Sequence, residues 1–498
     1  MVVTRALVVA VLLGFAACSS GSSTGPTITT FTATPSSLPT AGGSVRLAWN
    51  VTGATALSIN QNVGPVTPLT TGSTTVQVTA ATTFTLTATD ASGSSTATAA
   101  VTVAAPIAVS GTVVDNNTPS QPSPGQTVVI TSGTFSQSVV TDANGAFSVS
   151  AVPTPYTATI LDVGGTSAFQ YQGLTRPDPT LTDLVALQAQ SNSAVLSGML
   201  TGGSYPEGSG YSTVLTFASP QTTVRIGDVP SGSYSDTLSW GGPTTTAGVL
   251  YGLQIHTVAG LPADYPGYGT LPSLSLENTE TLSGQNVALS AVTAGTLSGT
   301  VTPPAGYTVG MKTLLLIAGS GSSATDLQLL TDSSGSGAFN YTTPSIPDTS
   351  LSLEAIAAAG TGEASIVLMG GLSANGSGVS VTIPPALQLT VPVTAATGVT
   401  VSTPFTWTAN ANGISILYVH GGGSPEFYVF TSGTTATIPD LSSVGLPLPA
   451  SAAYTWEVIG LGPFTTVDGA AGPGGINALL LGSFNESLSA SRTFTTSP

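Results

Sequence analysis

Charge is the scarcest property of this chain. Lys and Arg together number six, and Asp and Glu 22, in 498 residues, so charged side chains make up 6% of it. An ordinary soluble domain carries about 25%. So few basic groups argue against nucleic acid as a partner, because phosphate binding needs clusters of Lys and Arg. There is one cysteine, Cys18, which excludes an intrachain disulfide. The two histidines, His256 and His420, lie in different regions, and neither has H-x-x-x-H or H-E-x-x-H spacing. A zinc site is therefore not expected, and no cofactor is implied. After Cys18 no run of 18 apolar residues occurs, so the low charge is not that of a helical membrane protein.

Polarity comes instead from Ser, Thr, Asn and Gln. These side chains solvate the outer faces of strands, and Thr and Val favour strand conformations. The 59 glycines and 35 prolines fit many turns. The 41% hydrophobic content and its regular alternation set the chain apart from a disordered Gly/Pro/Ser-rich one. The fold class expected is all-β: tandem antiparallel β-sandwiches of about 100 residues each.

The chain opens with Arg5, a twelve-residue apolar run Ala6 to Ala17, and then Cys18 followed by Ser and Gly. That is a charged segment, an apolar segment and small residues before a cut. The run is shorter than the ~20 residues of a membrane span. Phe15-Ala16-Ala17-Cys18 resembles the lipobox of bacterial lipoproteins, with Phe15 where Leu is usual. The resemblance implies removal of residues 1–17, lipidation of Cys18, and a membrane partner reached through that lipid. Ser19 after the cysteine resembles sorting to the outer membrane, so the localisation expected is the cell envelope, at the outer membrane or cell surface. Loss of Arg5 would leave five basic against 22 acidic side chains, a formal charge of −17. Residues 18–26 read as a Ser/Gly tether. The Gly21-x-Ser23-x-Gly25 match inside it lacks the strand-turn-helix setting of a nucleophile and is chance.

Residues 27–104 form a first module. Val45, Leu47, Trp49 and Val51 alternate onto one face, and Trp49 reads as core. The succession F-x-A-x-P, V-x-L-x-W, T-L-T-A-T-D and V-T-V resembles bacterial immunoglobulin-like domains. In residues 107–190, Ser110-Gly111-Thr112-Val113, then the turn Asp142-Ala-Asn144-Gly145 before Phe147, then Pro155-Tyr156, resemble the transthyretin-like, carboxypeptidase-regulatory-like sandwich. The resemblance implies an appendage without catalysis. Asp142 and Asn144 are too few oxygens for calcium and read as turn residues.

The opening recurs at Ser197-Gly198 and at Ser298-Gly299-Thr300-Val301. Modules at 194–292 and 294–387 follow, and the second of these repeats the turn as Thr331-Asp332 to Phe339. The 194–292 stretch lacks that turn but holds six of the 13 tyrosines. Tyr265-Pro-Gly-Tyr268-Gly reads as a loop, where aromatic rings stand open to a ligand. With Trp240, Tyr265 and Tyr268 form the candidate site for a glycan or peptide or protein ligand. Residues 389–498 hold Phe405-Thr-Trp407, Tyr454-Thr-Trp456-Glu-Val458 and a closing Arg492-Thr-Phe494, which resemble fibronectin type III-like modules. The Gly-rich stretch 460–481 is longer than a hairpin loop needs.

An enzyme needs a nucleophile with a base, a carboxylate pair or metal ligands, and no such constellation is legible; no catalytic residue is assigned. The function expected is a non-catalytic, lipid-anchored scaffold with a structural or adhesive role. A carbohydrate- or peptide-binding lipoprotein is one alternative. A hydrolase with a carboxylate pair distant in sequence is another, since glycosidase carboxylates need not be neighbours in the chain.

Overall fold

The computed structural model describes residues 25–117, 120–184, 190–227, 229–423, 425–479 and 482–498. The signal segment, Cys18 and most of the tether lie outside the described residues. The protein is all-β. Apart from strands, the described residues form one α-turn, Val467–Ala470, and three short 3₁₀ turns. Contacts divide the chain into two compact units, one ending at Ala105 and one running from Pro106 to Pro498.

The first unit is a sandwich of a three-stranded and a five-stranded sheet. In the Gly43–Thr52 strand the expected alternation buries Val45, Leu47, Trp49 and Val51 at 2% exposure or less. The Trp49 indole donates to the Pro68 carbonyl at 3.0 Å. Gly72, on the paired strand, has no room for a side chain, since a Cβ there would fall 2.7 Å from the Trp49 ring.

The second unit takes in residues from all four stretches 107–190, 194–292, 294–387 and 389–498, and sheets run across the boundaries between them. The largest has 14 strands. Ser167–Leu174 pairs in parallel with Glu426–Thr431. On the far side of the C-terminal residues, Phe484–Leu488 pairs antiparallel with Ala364–Leu372. The C-terminal stretch thus sits between two sandwiches that precede it in sequence. A seven-stranded sheet also runs from the 194–292 stretch into the 294–387 stretch, where Leu261–Glu277 pairs with the nearby strand Ser290–Thr302 and that strand pairs with Ala338–Ser345.

The sequence explains why these strands join sheets instead of facing water. Ile414-Ser-Ile-Leu-Tyr-Val419 and Phe427-Tyr-Val-Phe430 are apolar at consecutive positions, the pattern of a strand buried on both faces. One face, with Leu417, Val419, Phe427 and Val429, packs on Trp407, Trp456 and Phe494. The other, with Ile414, Ile416 and Phe430, packs on Val128, Ile160, Phe169 and Tyr171 from the 107–190 region. Rings stack across the seam: Tyr171 on Phe430 at 4.2 Å between centroids, and Phe169 on Tyr428 at 4.9 Å. Tyr428 continues onto Tyr418 at 4.4 Å.

Lys312, the chain's one lysine, is fully buried and pairs with Asp332 at 3.0 Å. Its Nζ also donates to the Ser336 carbonyl at 2.5 Å. Asp332 accepts from the Tyr341 hydroxyl at 2.6 Å and from the Ser334 amide at 2.8 Å. Burial alone would raise the Asp332 carboxyl, but the hydrogen bonds from Tyr341, Ser334 and Lys312 outweigh it and hold it well below the usual range. Its ionised form is therefore favoured by folding, and that stability is present above about pH 4 and lost as pH falls further. Removing one partner of a buried pair strands the other charge, which costs about 3 kcal/mol or more. Lys312→Met is expected to lower the unfolding free energy of the second unit by that order, read as a lower urea midpoint at unchanged slope. Asp332→Asn is expected to flatten its loss of stability below about pH 4.

Candidate functional site

Of the three aromatic residues proposed from sequence, the structure buries Trp240 and Tyr265 and half-buries Tyr268. Trp240 is fully buried, and its indole donates to the Pro243 carbonyl at 2.8 Å. Tyr265 is 1% exposed, and its hydroxyl donates to the Thr342 carbonyl at 2.8 Å. Tyr268 is half-buried against the same cluster, and burial pushes its phenol up to about 12. The expected open loop at 265–269 is part of a strand, Leu261–Glu277. The reason is steric. A Cβ at Gly267 would lie 2.6 Å from Leu289 Cβ, and one at Gly269 would lie 2.1 Å from the Ala288 carbonyl oxygen. These glycines admit a crossing chain segment; they do not make a turn. The Trp240 and Tyr265 rings offer no face to a ligand here. Their region's tyrosines act as fasteners instead, Tyr265 reaching Thr342 and Tyr251 donating to the Ser323 carbonyl at 3.1 Å.

A different place gathers more chemistry: the seam between the 107–190 region and the C-terminal stretch. The long Gly-rich segment forms a strap over it. Thr466 caps the turn Val467–Ala470 by accepting from the Gly469 amide at 3.1 Å. Asp468 on that turn accepts from the Thr175 amide at 2.8 Å and the Arg176 amide at 3.2 Å, and from the Thr175 hydroxyl. Arg176 returns a bond from Nη1 to the Asp468 carbonyl at 2.8 Å. The Thr180 amide donates to Ala471 O at 2.8 Å, and Asn477 Nδ2 donates to Asp115 O at 2.6 Å. Val467, Ala470 and Ala471 complete the apolar cluster below. The length of the segment is legible in sequence; its partners, 293 residues away in the case of Thr175 and Asp468, are not.

Beneath the strap lies a cavity of about 250 Å³. Ile416, Ile459, Leu461, Ile476, Leu479 and Phe484 form its apolar walls, with Asn116, Asn477 and Glu486 as polar lining. Glu486 sits on the Phe484–Leu488 strand, flanked in register by Leu461 and Ile366. Burial raises its carboxyl above the ordinary range.

Other titratable groups are dispersed. His256 Nδ1 and Asp264 Oδ2 lie 2.9 Å apart, with Tyr211 stacked on the imidazole at 4.4 Å. His420 Nε2 is 3.7 Å from Glu457. Asp115 and Asp183, both fully buried, are register neighbours on adjacent strands. Asp115 is occupied in shaping its loop, accepting from the Gln121 amide at 2.7 Å and from Asn117 Nδ2 at 2.6 Å. Asp142 likewise accepts from the Asn144 and Ala146 amides at 2.8 and 2.9 Å, as a turn residue does. Among the described residues no group of three His, Cys, Asp or Glu is placed to hold a metal ion. Nor is any described helix long and apolar enough to cross a membrane.

No protein-family model and no curated protein matches this chain. Solved structures resemble it locally. The Bacillus anthracis TIE protein is 12% identical over 74% of this chain and 76% of its own, with a TM-score of 0.17. A calcium-stabilised, ice-binding adhesin of an Antarctic bacterium is 14% identical over 71% and 99%, with a TM-score of 0.13. Immunoglobulin domains 1–5 of Sidekick-1 are 10% identical over 96% and 100%, with a TM-score of 0.14. Scores this low describe no shared whole-chain arrangement.

The strap depends on one carboxylate that takes several donors, worth about 1–3 kcal/mol for a charged acceptor. Asp468→Ala is expected to open it locally. Hydrogen exchange should quicken at the amides of Thr175, Arg176 and Thr180, with little change at the Lys312 strand.

Proposed function

We propose that this chain is a lipid-anchored, non-catalytic protein of the bacterial cell envelope, serving as a structural or adhesive scaffold at the cell surface. The observation that carries the reading is the construction of the second unit. Hydrogen-bonded strands cross between regions far apart in sequence, where a flexible string of sandwiches would leave each sheet to end on itself. Backbone hydrogen bonds across each seam hold the regions in a fixed relation, which suits a part that must keep its shape while displayed. The Cys18 motif supplies the attachment. One acyl chain gives marginal membrane binding and stable anchoring takes two or more signals; a multiply acylated cysteine, as the lipoprotein resemblance implies, meets that need. With 22 acidic and, once Arg5 is removed, five basic side chains, the folded part adds no attraction to an anionic lipid surface.

The test is metabolic labelling with a radioactive fatty acid, followed by fractionation, in bacteria producing the full chain or its Cys18→Ala variant. The wild type is expected to take up label and sediment with membranes, and the variant to take up none and stay in the soluble fraction. An unlabelled wild type, or a variant that still sediments, contradicts the anchor.

A further inference from the structure

The cavity under the strap of residues 463–479 is lined by a partly exposed carboxylate, Glu486. Among the described residues Glu486 accepts no hydrogen bond and pairs with no cation. Its neighbours in register are apolar on both sides. The chain has few cations to offer it. Lys312 is committed to Asp332, Arg176 to Asp178 and Asp468, and Arg492 to the carbonyls of Leu389, Thr390 and Pro392. Arg225 lies on the Thr223–Ile226 strand at the edge of another sheet.

A carboxylate in a largely apolar setting is stabilised by a cation that meets it, and none of the cations placed above does so, which leaves the position open to a complementary charge from outside. We propose that this cavity is a binding site for a small organic cation, an ammonium group carried on a short apolar body. The ammonium meets Glu486, and the body fills the space between Ile416, Ile459 and Leu461 of the sheet and Ile476 and Leu479 of the strap. Asn116 is exposed and marks the mouth. At about 250 Å³ the space falls below the ~300–1,000 Å³ of drug-sized sites, which limits the body to about one ring or a short branched chain. The acidic balance of the whole chain raises the local concentration of cations. The Asp468 bonds close the strap over the occupant.

The probe is benzylammonium, with benzyl alcohol as its neutral counterpart of the same size, titrated calorimetrically into the intact chain at pH 7.5. Benzylammonium is expected to bind at one site, with benzyl alcohol at least tenfold weaker. Glu486→Gln, which removes an unpaired charge and is expected to fold at least as well, should weaken benzylammonium at least tenfold and leave benzyl alcohol unchanged. Leu479→Trp, which fills the cavity, should abolish both. In the wild type the affinity for benzylammonium should fall as pH is lowered through the raised range of Glu486, and stay flat in Glu486→Gln. No binding of benzylammonium, equal binding of the alcohol, or an unchanged affinity in Glu486→Gln would each overturn the assignment.

Discussion

The second unit depends on the two-sided burial of a few strands. Glu426–Thr431 and Ile414–His420 carry apolar side chains on both faces, so neither face can be left to water. At about 25 cal/mol per Å² of apolar surface, exposing one face of two such strands is a large penalty against the 5–15 kcal/mol that separates folded from unfolded domains. The solution is to continue the sheet edge to edge into a second sandwich, whose small sheet and the Val467–Ala471 segment cover the outer face. The 107–190 region supplies it, with Ser167–Leu174 pairing in parallel beside Glu426–Thr431 in one sheet. Parallel pairing needs a long crossover, and here the intervening 194–387 regions form it.

A chain with six basic residues cannot fasten its seams with salt bridges. It uses neutral donors and ring stacking instead. Tyrosine hydroxyls donate to backbone carbonyls across the packed elements, as Tyr265 does to Thr342, Tyr171 to Thr182 and Tyr156 to Arg176. Each such bond satisfies a buried donor and a buried acceptor at once, while the ring adds apolar contact. The few charges that are fully buried are given dense partners, as Lys312 and Asp115 show. Glu486, partly exposed at its cavity, takes no such partners among the described residues.

Much of the architecture was legible in the sequence. Strict alternation at Val45 to Val51 placed Trp49 in a core, and Asp142 to Gly145 read as a turn because an Asx carboxylate followed by Gly has little else to do there. What misled was the Tyr265-Pro-Gly-Tyr268-Gly stretch. Gly and Pro usually mark a turn, yet here glycine provides clearance for Leu289 and Ala288, and clearance depends on a partner that local pattern does not name. The long seams were hidden for the same reason. The runs at 414–419 and 427–430 signalled burial on both faces, but not which region would cover the second face. The strap was visible as an overlong loop, while its docking rests on Thr175 and Arg176, far away in the chain.

The central claim is that the C-terminal stretch completes the sheet of the 107–190 region, and does not merely follow it. Hydrogen exchange on a chain ending at Leu387 tests this most directly. Without Glu426–Thr431 the Ser167–Leu174 strand becomes an open edge over a half-exposed core. The amides of Ser167 to Tyr171 are predicted to lose their protection, together with those of the neighbouring Tyr156–Leu161 strand. Protection at these amides equal to that in the full chain would contradict the account, because the 107–190 region would then be a sandwich complete in itself.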